Sequence, residues 1–214
     1  MKGMTFGNYH SYDDFGLVLT KKTISPPKPK THYVDIEGAD GSLDFSEAFG
    51  EVKFQRRTLE FEFTLPPPRS EFSDRFTEIQ NALHGKEFQI IDDEDSDYYY
   101  VGRVTIDKWS IDKVIGSFDV KVEAEPYKYH LRETQRTDTI TGTKSLAFRN
   151  DRMSVVPIFR ASAPMTIVFN GTTFSISAAN VDYSSPNIVF REGSSTLTVT
   201  GEGTLTTRYQ EGAL

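Results

Sequence analysis

The sequence predicts a mainly β protein with one helix, divided into two modules. Aromatic residues make up 13% of the 214 residues, and 15 glycines and 10 prolines are spread along the chain, as is typical of short strands joined by turns. One segment has the periodicity of a helix, and several others alternate apolar and polar residues. Residues 1–133 carry 17 Lys and Arg against 25 Asp and Glu, whereas residues 134–214 carry 7 against 6. We therefore predict an N-terminal β-sandwich domain at 1–133 and a small C-terminal β-sandwich domain at 134–214.

Alternating residues predict the strands of the N-terminal domain. Leu59, Phe61, Phe63 and Leu65 alternate with polar residues, which predicts a half-buried strand that ends at Pro66. Further strands are predicted near 16–20, at 88–91, at 98–109 and at 118–124, with a solvated acidic turn at 92–97.

The helix is predicted at residues 70–84. Phe72, Phe76, Ile79 and Leu83 are spaced by three or four residues, so they fall on one stripe that faces the core. Ser70 is the predicted N-cap, and Gly85 suits the position after the C-cap.

Residues 20–50 contain too few apolar residues to form a core of their own. Their prolines favour an extended conformation, and Asp40-Gly41 predicts a hairpin turn. A long segment of this kind within a compact domain is either flexible or functional. It is therefore either a flexible loop or an arm that wraps a neighbouring subunit. The candidate contact residues of this arm are Ile24, Pro26, Pro27, Pro29, Tyr33, Val34, Ile36, Asp40 and Gly41.

The C-terminal domain is predicted to contain strands alone. Residues 125–138 are polar and charged and predict the junction between the domains. Asn170-Gly171 predicts a two-residue hairpin, because both residues tolerate a positive φ, and Gly201-Glu202-Gly203 predicts a turn between strands. The strands are expected at 144–148, 155–161, 165–169, 172–177, 187–191, 196–200 and 204–209.

The chain lacks the motifs of common active sites and cofactor sites. It has no cysteine, its four histidines are scattered, and neither a P-loop nor a nucleophile elbow is present. Asp93, Asp95 and Asp97 share the spacing of a calcium loop, but Tyr98 stands where that loop needs glycine. We therefore expect no catalytic residue, no cofactor and no metal ion.

The net charge and the hydropathy of the chain limit the classes of partner that it can bind. The net charge of −7 argues against binding of the nucleic-acid backbone. No segment has the length of a membrane span or the apolar core of a signal peptide, so we expect a soluble protein made in the cytoplasm.

Several segments, in order along the chain, together resemble the distal tail protein (Dit) family of long, non-contractile-tailed phages that infect Gram-positive bacteria. The resemblance spans nearly the whole chain. Its segments are Phe6-Gly7 with residues 13–17, residues 35–41, residues 126–129, and Gly203 with residues 208–212.

The resemblance implies a structural protein and no enzyme. Family members form a hexameric ring that closes the tail tube, with an N-terminal β-sandwich, a helix and an extended belt, and a galectin-like sandwich at the periphery. The ring acts as the baseplate hub, onto which the tail tube protein and the tail-associated fibre or lysin protein dock. The expected location is the virion tail tip, after synthesis and assembly in the bacterial cytoplasm.

The resemblance implies a bore through which DNA passes without specific binding, and the acidic balance of the N-terminal domain suggests that acidic side chains line this bore. The candidate bore-lining residues are Glu60, Glu62, Asp92, Asp93, Glu94 and Asp95.

Two other functions remain open. The C-terminal sandwich is suited to a carbohydrate- or receptor-binding module, although residues 134–214 contain neither the tryptophan nor the histidine of a typical sugar site. A hydrolase of cell-wall polymers is the third hypothesis.

Overall fold

The computed structural model describes residues 2–48, 50–112 and 114–214. Two compact units are present: residues up to Lys128 with Leu214, and Tyr129–Ala213. The described strands are β1 Met4–Phe6, β2 Tyr9–His10, β3 Val18–Ile24, β4 Tyr33–Asp35, β5 Ser42–Asp44, β6 Arg57–Leu65, β7 Glu87–Asp92, β8 Tyr98–Ile111, β9 Gly116–Ala124, β10 Lys128–His130, β11 Thr134–Asn150, β12 Ile158–Ala161, β13 Met165–Phe169, β14 Thr172–Ile176, β15 Asp182–Tyr183, β16 Gly193–Tyr209 and β17 Gly212–Ala213. One α-helix, α1 at Phe72–Leu83, and a 3₁₀ turn at Arg69–Glu71 complete the described elements, so the predicted mainly β fold class is confirmed.

The first unit folds one antiparallel sheet around its core. The strands follow the order β2-β1-β7-β8-β9-β6-β3. Phe6 of β1 lies 6.2 Å from Phe61 of β6, ring centre to ring centre, although three strands separate β1 and β6 in the sheet. The sheet therefore curves over itself, and its inward side chains share one apolar cluster with α1.

The helix confirms the predicted apolar stripe. Phe72, Ile79 and Leu83 are buried, and Phe76 packs against the same core. Gly85 follows the helix with φ +78°, the left-handed conformation expected after a C-cap.

The predicted N-cap was wrong. Ser70 lies in a 3₁₀ turn at Arg69–Glu71, and Glu71 precedes α1 without a side-chain capping bond. The three prolines at 66–68 lead into this tighter turn, so the α-helix begins two residues later than predicted.

In the second unit, the sheet is built on one long antiparallel pair of strands, β11 and β16. β11 pairs with β16 over 17 residues, from Thr134 opposite Tyr209 to Asn150 opposite Gly193. On its other edge, β16 pairs first with β13 and then with β12. The change of partner occurs near Gly201 and Gly203, which pair with Gly142 and Ile140 of β11; all three glycines have positive φ values.

The strand pairing in the second unit differs from several sequence predictions. Gly201-Glu202-Gly203 is not a turn but lies within one continuous strand, so the strands predicted at 196–200 and 204–209 are both parts of β16. Residues 134–138, assigned to a polar junction, belong to β11, since β16 pairs with them. Residues 187–191 form only an isolated bridge, between Phe190 and Val155.

The hairpin predicted at Asn170-Gly171 is confirmed. β13 and β14 pair from Met165 opposite Ile176 to Phe169 opposite Thr172. Asn170 and Gly171 have φ +49° and +77°, as a type I′ turn requires.

Candidate functional site

The segment between β3 and β6 protrudes from the first unit and contains two stretches of antiparallel pairing. Its first part, which we name the stem, comprises residues 28–30 and 53–55. Lys30 N–H donates to Lys53 O at 2.7 Å, Gln55 N–H donates to Lys28 O at 2.8 Å, and Pro29 pairs with Phe54 between them. The Phe54 ring meets Tyr127 edge-on at 5.9 Å, which fixes the stem to its own unit.

The second part is a hairpin, which we name the arm hairpin (residues 33–48). Tyr33 pairs with Asp44, Val34 with Leu43, and Asp35 with Ser42. The predicted turn at Asp40-Gly41 lies between β4 and β5, and Gly38 and Gly41 both have positive φ values of +83° and +78°.

The register gives the arm hairpin two different faces. Residues directly opposite one another share a face, and faces alternate along each strand. Val34 and Leu43 therefore lie on one apolar face, which Phe45 and Ile36 extend. On the other face the Ser42 hydroxyl donates to Asp35 at 2.5 Å, and the Ser46 N–H donates to Asp44 at 2.8 Å.

The apolar face is exposed to solvent. Leu43 is 49% exposed, Ile36 47% and Phe45 42%. Apolar side chains clustered on one face of a hairpin are usually covered in a folded protein, so this face is a candidate contact surface.

The structure places the predicted arm residues in two groups. Ile24 lies in β3 against the core of its own unit, and Pro27 is buried. The predicted arm thus begins inside β3, and residues 20–24 belong to the sheet. The remaining candidates are exposed: Pro26, Pro29, Tyr33, Val34, Ile36, Asp40 and Gly41.

The acidic turn after β7 is less open than the sequence suggested. Asp92 is 4% exposed and pairs with the ammonium group of Lys22, whose Nζ also lies 2.9 Å from Glu94. Burial lowers the pKa of Lys22, but the hydrogen bonds to Asp92 and Glu94 outweigh burial and raise this pKa above 10.5. The hydrogen bond from Lys22 holds the pKa of Glu94 below 4.5.

The next two acidic residues of this turn also have basic partners. Asp93 Oδ2 lies 3.1 Å from His10 Nε2, and Asp95 Oδ2 accepts from Lys128 Nζ at 2.5 Å. The negative charge of this turn is therefore largely compensated within the subunit.

Glu60 and Glu62 lie on the outward face of β6. They line a polar depression of about 340 Å³ with side chains of β3, β8 and β9. Lys21 Nζ lies 2.9 Å from Glu62, and this hydrogen bond raises the pKa of Lys21. The surface carries charges of both signs.

Sequence spacing missed one group of ionisable side chains in the second unit. His130, Asp151 and Glu211 place one ligand atom each within 4.8 Å of the others. Thr134 Oγ1 donates to Glu211 at 2.5 Å, and Arg149 Nε lies 3.7 Å from Asp151. Because both carboxylates have partners in the protein, we assign no metal ion to this group.

No helix in the described part of the chain combines the length and apolar character of a membrane span. No protein-family model matches the sequence, and no curated protein matches it.

Solved structures do match. The crystal structure of SPP1 Dit (gp 19.1), described as a paradigm of the hub adsorption apparatus in phages infecting Gram-positive bacteria, has a TM-score of 0.75 and 14% identity, with 100% of both chains covered. A conserved protein of unknown function from Pseudomonas aeruginosa PAO1 has a TM-score of only 0.31 at 8% identity, covering 91% of this chain and 100% of its own. A de novo designed double-stranded β-helix reaches 0.26 at 16% identity, covering 37% of this chain and 99% of its own. Over its full length, this chain therefore has the fold of the SPP1 distal tail protein.

Proposed function

We propose that this chain is a structural distal tail protein that forms a ring at the tip of a phage tail. The full-length fold shared with SPP1 Dit carries the proposal, and that protein is described as a hub of an adsorption apparatus. The proposed ring is a hexamer in the virion that joins the tail tube protein to the tail-associated host-recognition protein. In this role the chain needs no catalytic residue and no cofactor.

The arm hairpin supports assembly into a ring. Its apolar face carries Val34, Ile36, Leu43 and Phe45 and is exposed. Burial of apolar surface contributes about 25 cal/mol per Å², so covering four such side chains stabilises a contact substantially. A cyclic head-to-tail assembly needs two different patches on each subunit, and a protruding arm supplies one of them.

The outward face of β6 supports the proposed bore. Glu60 has no basic partner among the ion pairs of the described residues, whereas the acids at 92–95 are paired with Lys or His. An acidic surface reduces adhesion of DNA by the field it projects. We therefore favour Glu60 over the turn at 92–95 as a bore-lining residue, together with Glu62, which is paired with Lys21 but lines the same depression as Glu60.

Replacement of the arm hairpin tests the ring. In the variant, residues 32–48 become a short Gly-Ser linker, which leaves the stem and β3 intact. Loop length has a small effect on stability, so the first unit is expected to fold while the ring is lost. Native mass spectrometry and light scattering of the full chain, over a range of protein concentrations, measure the assembly state.

A matched control replaces the exposed loop at 177–181 of the second unit with a Gly-Ser linker of equal length. This variant is expected to assemble as the unmodified chain does. An unmodified chain that stays monomeric at high concentration and in isolated tail tips contradicts the ring, and an arm-deleted chain that forms rings contradicts the role of the arm.

A further inference from the structure

The arm carries its charges in two separate blocks. Between residues 33 and 48 the chain has five acidic residues and no Lys or Arg, the acids being Asp35, Glu37, Asp40, Asp44 and Glu47. The stem has three basic residues and no acidic one, namely Lys28, Lys30 and Lys53. The arm is therefore negative at its end and positive at its base.

The basic residues of the stem share one face. Pro29 pairs with Phe54, so Lys28, Lys30 and Lys53 project from the opposite face. Because Phe54 packs against Tyr127 of the same unit, the lysine face is turned away from the body of the subunit. All three lysines are exposed.

The two blocks do not neutralise one another within a subunit. Among the ion pairs of the described residues, none joins the five acids of the arm hairpin to Lys or Arg. Lys53 Nζ lies 3.9 Å from a carboxylate oxygen of Glu51. Lys28 and Lys30 form no ion pair with any residue that the structure describes. Both blocks are thus available to a partner.

We propose that the arm hairpin of one subunit seats on the stem of the next subunit, so that arms join head to tail around the ring. The inference rests on the proposed ring and names the surface that receives the arm. The negative end and the positive base are complementary between copies, with Asp35 and Asp44 on the polar face of the hairpin, opposite the apolar side chains. Charges at such a contact mainly set register and the choice of partner, since exposed ion pairs are individually weak.

Charge reversal of each block tests the contact in the full chain. One variant carries Lys28→Glu, Lys30→Glu and Lys53→Glu, and its arm is acidic throughout. The other carries Glu37→Lys, Asp40→Lys and Glu47→Lys, which spares the hydrogen bonds of Asp35 and Asp44 within the hairpin. Each variant alone is expected to assemble about tenfold more weakly or worse, because like charges now face each other.

Mixing the two variants is the decisive part of the experiment. In a mixture each acidic hairpin meets a basic stem and each basic hairpin meets an acidic stem, so alternating rings are expected to form. A single chain with all six substitutions is also expected to assemble. Light scattering and native mass spectrometry detect both products, since the variants differ in mass.

The control reverses three exposed arginines of the second unit, Arg132→Glu, Arg149→Glu and Arg191→Glu. It changes the net charge as the stem variant does and is expected to leave assembly unchanged. If the unmodified chain assembles and either arm variant assembles equally well, the inference is wrong while the ring stands. If both variants fail and mixing restores nothing, the hairpin contacts another surface and the inference is also wrong. A monomeric unmodified chain overturns the ring and the inference together.

Discussion

The indole ring of Trp109 stacks on the phenyl ring of Phe76, with ring centres 4.1 Å apart and planes inclined by 14°. A bulge in β8 between Asp107 and Ser110 makes this contact possible. Lys108 adopts φ +51° there, and its N–H donates to Asp107 Oδ1 at 2.8 Å. The bulge turns Trp109 towards α1, so the stacked pair fixes the helix to the sheet.

Phe76→Ala is expected to lower the free energy of unfolding by about 2–3 kcal/mol, because it removes a large, partly buried ring and leaves a void. Trp109 is the single tryptophan of the chain, so its emission reports on this site alone. We expect a shift of the emission to longer wavelength as water reaches the indole. Phe76→Leu, which fills most of the space, is the control and should cost less. Unchanged emission in Phe76→Ala would contradict the stacking.

Lys22→Met is expected to lower the free energy of unfolding by about 1–3 kcal/mol at neutral pH, because buried Asp92 loses its cationic partner. Urea unfolding at a series of pH values measures the loss. Lys2→Met, at an exposed pair with Glu94, is the control and should have little effect.

The difference between Lys22→Met and the unmodified chain should depend on pH. The pKa of Glu94 is lowered from 4.5 in the folded state, so its stabilisation is present above pH 4.5 and lost as the pH falls through the folded-state pKa. The pKa of Lys22 is raised from 10.5, so its stabilisation is present below pH 10.5 and lost at still higher pH. A difference that stays constant from pH 2 to 8 would count against this network.

Gly203→Ala is expected to destabilise the second unit strongly. Gly203 has φ +128°, and an added Cβ would lie 2.4 Å from Ser162 Oγ, which accepts a hydrogen bond from Thr204 N–H at 2.8 Å. Gly142→Ala is the matched control, since φ is +72° but no atom lies within 4 Å of the added carbon. We expect about 1 kcal/mol for Gly142→Ala from backbone strain alone and a clearly larger loss for Gly203→Ala. Thermal unfolding compares the two, and equal losses would argue against the clash.

Glu60→Lys with Glu62→Lys is expected to make assembled rings retain DNA at physiological ionic strength, whereas unmodified rings release it. Screening over about 8 Å means that only charges close to the bore act on DNA. Gel-shift assays with duplex DNA measure retention. Glu133→Lys with Glu192→Lys, at two exposed acidic residues of the second unit, is the control: it changes the net charge equally and is expected to leave DNA release unchanged. Tight binding of DNA by unmodified rings would contradict an acidic bore.

The sequence predicted correctly those strands, helices and turns that are specified by the residues of one short segment. The alternation at Leu59–Leu65 became β6, and the stripe from Phe72 to Leu83 became the buried side of α1. Asn170-Gly171 formed its turn because the two residues themselves favour it. The three-residue strand β1 was missed, since Met4–Phe6 is too short to show any period.

The features that the sequence did not predict depend on which strands pair and in what register. Gly201 and Gly203 suit a turn equally well, and only the pairing with β11 makes β16 continuous through them. Likewise, Val34 and Leu43 are isolated apolar residues in the sequence. The register of β4 with β5 places them side by side, so the apolar face of the arm exists only once the hairpin has formed.

The antiparallel pairing of β11 with β16 also has a consequence for the order in which the chain is expected to fold. Thr134 pairs with Tyr209, near the end of the sequence. Even the partners nearest in sequence, Asn150 and Gly193, have the whole of β12 to β15 between them. Contacts between residues so distant in the sequence form slowly, because a long loop must close before any pairing is gained. On the ribosome, the first unit can complete its core while residues 193–209 are still being made. We therefore expect the arm hairpin to form before the second unit has closed.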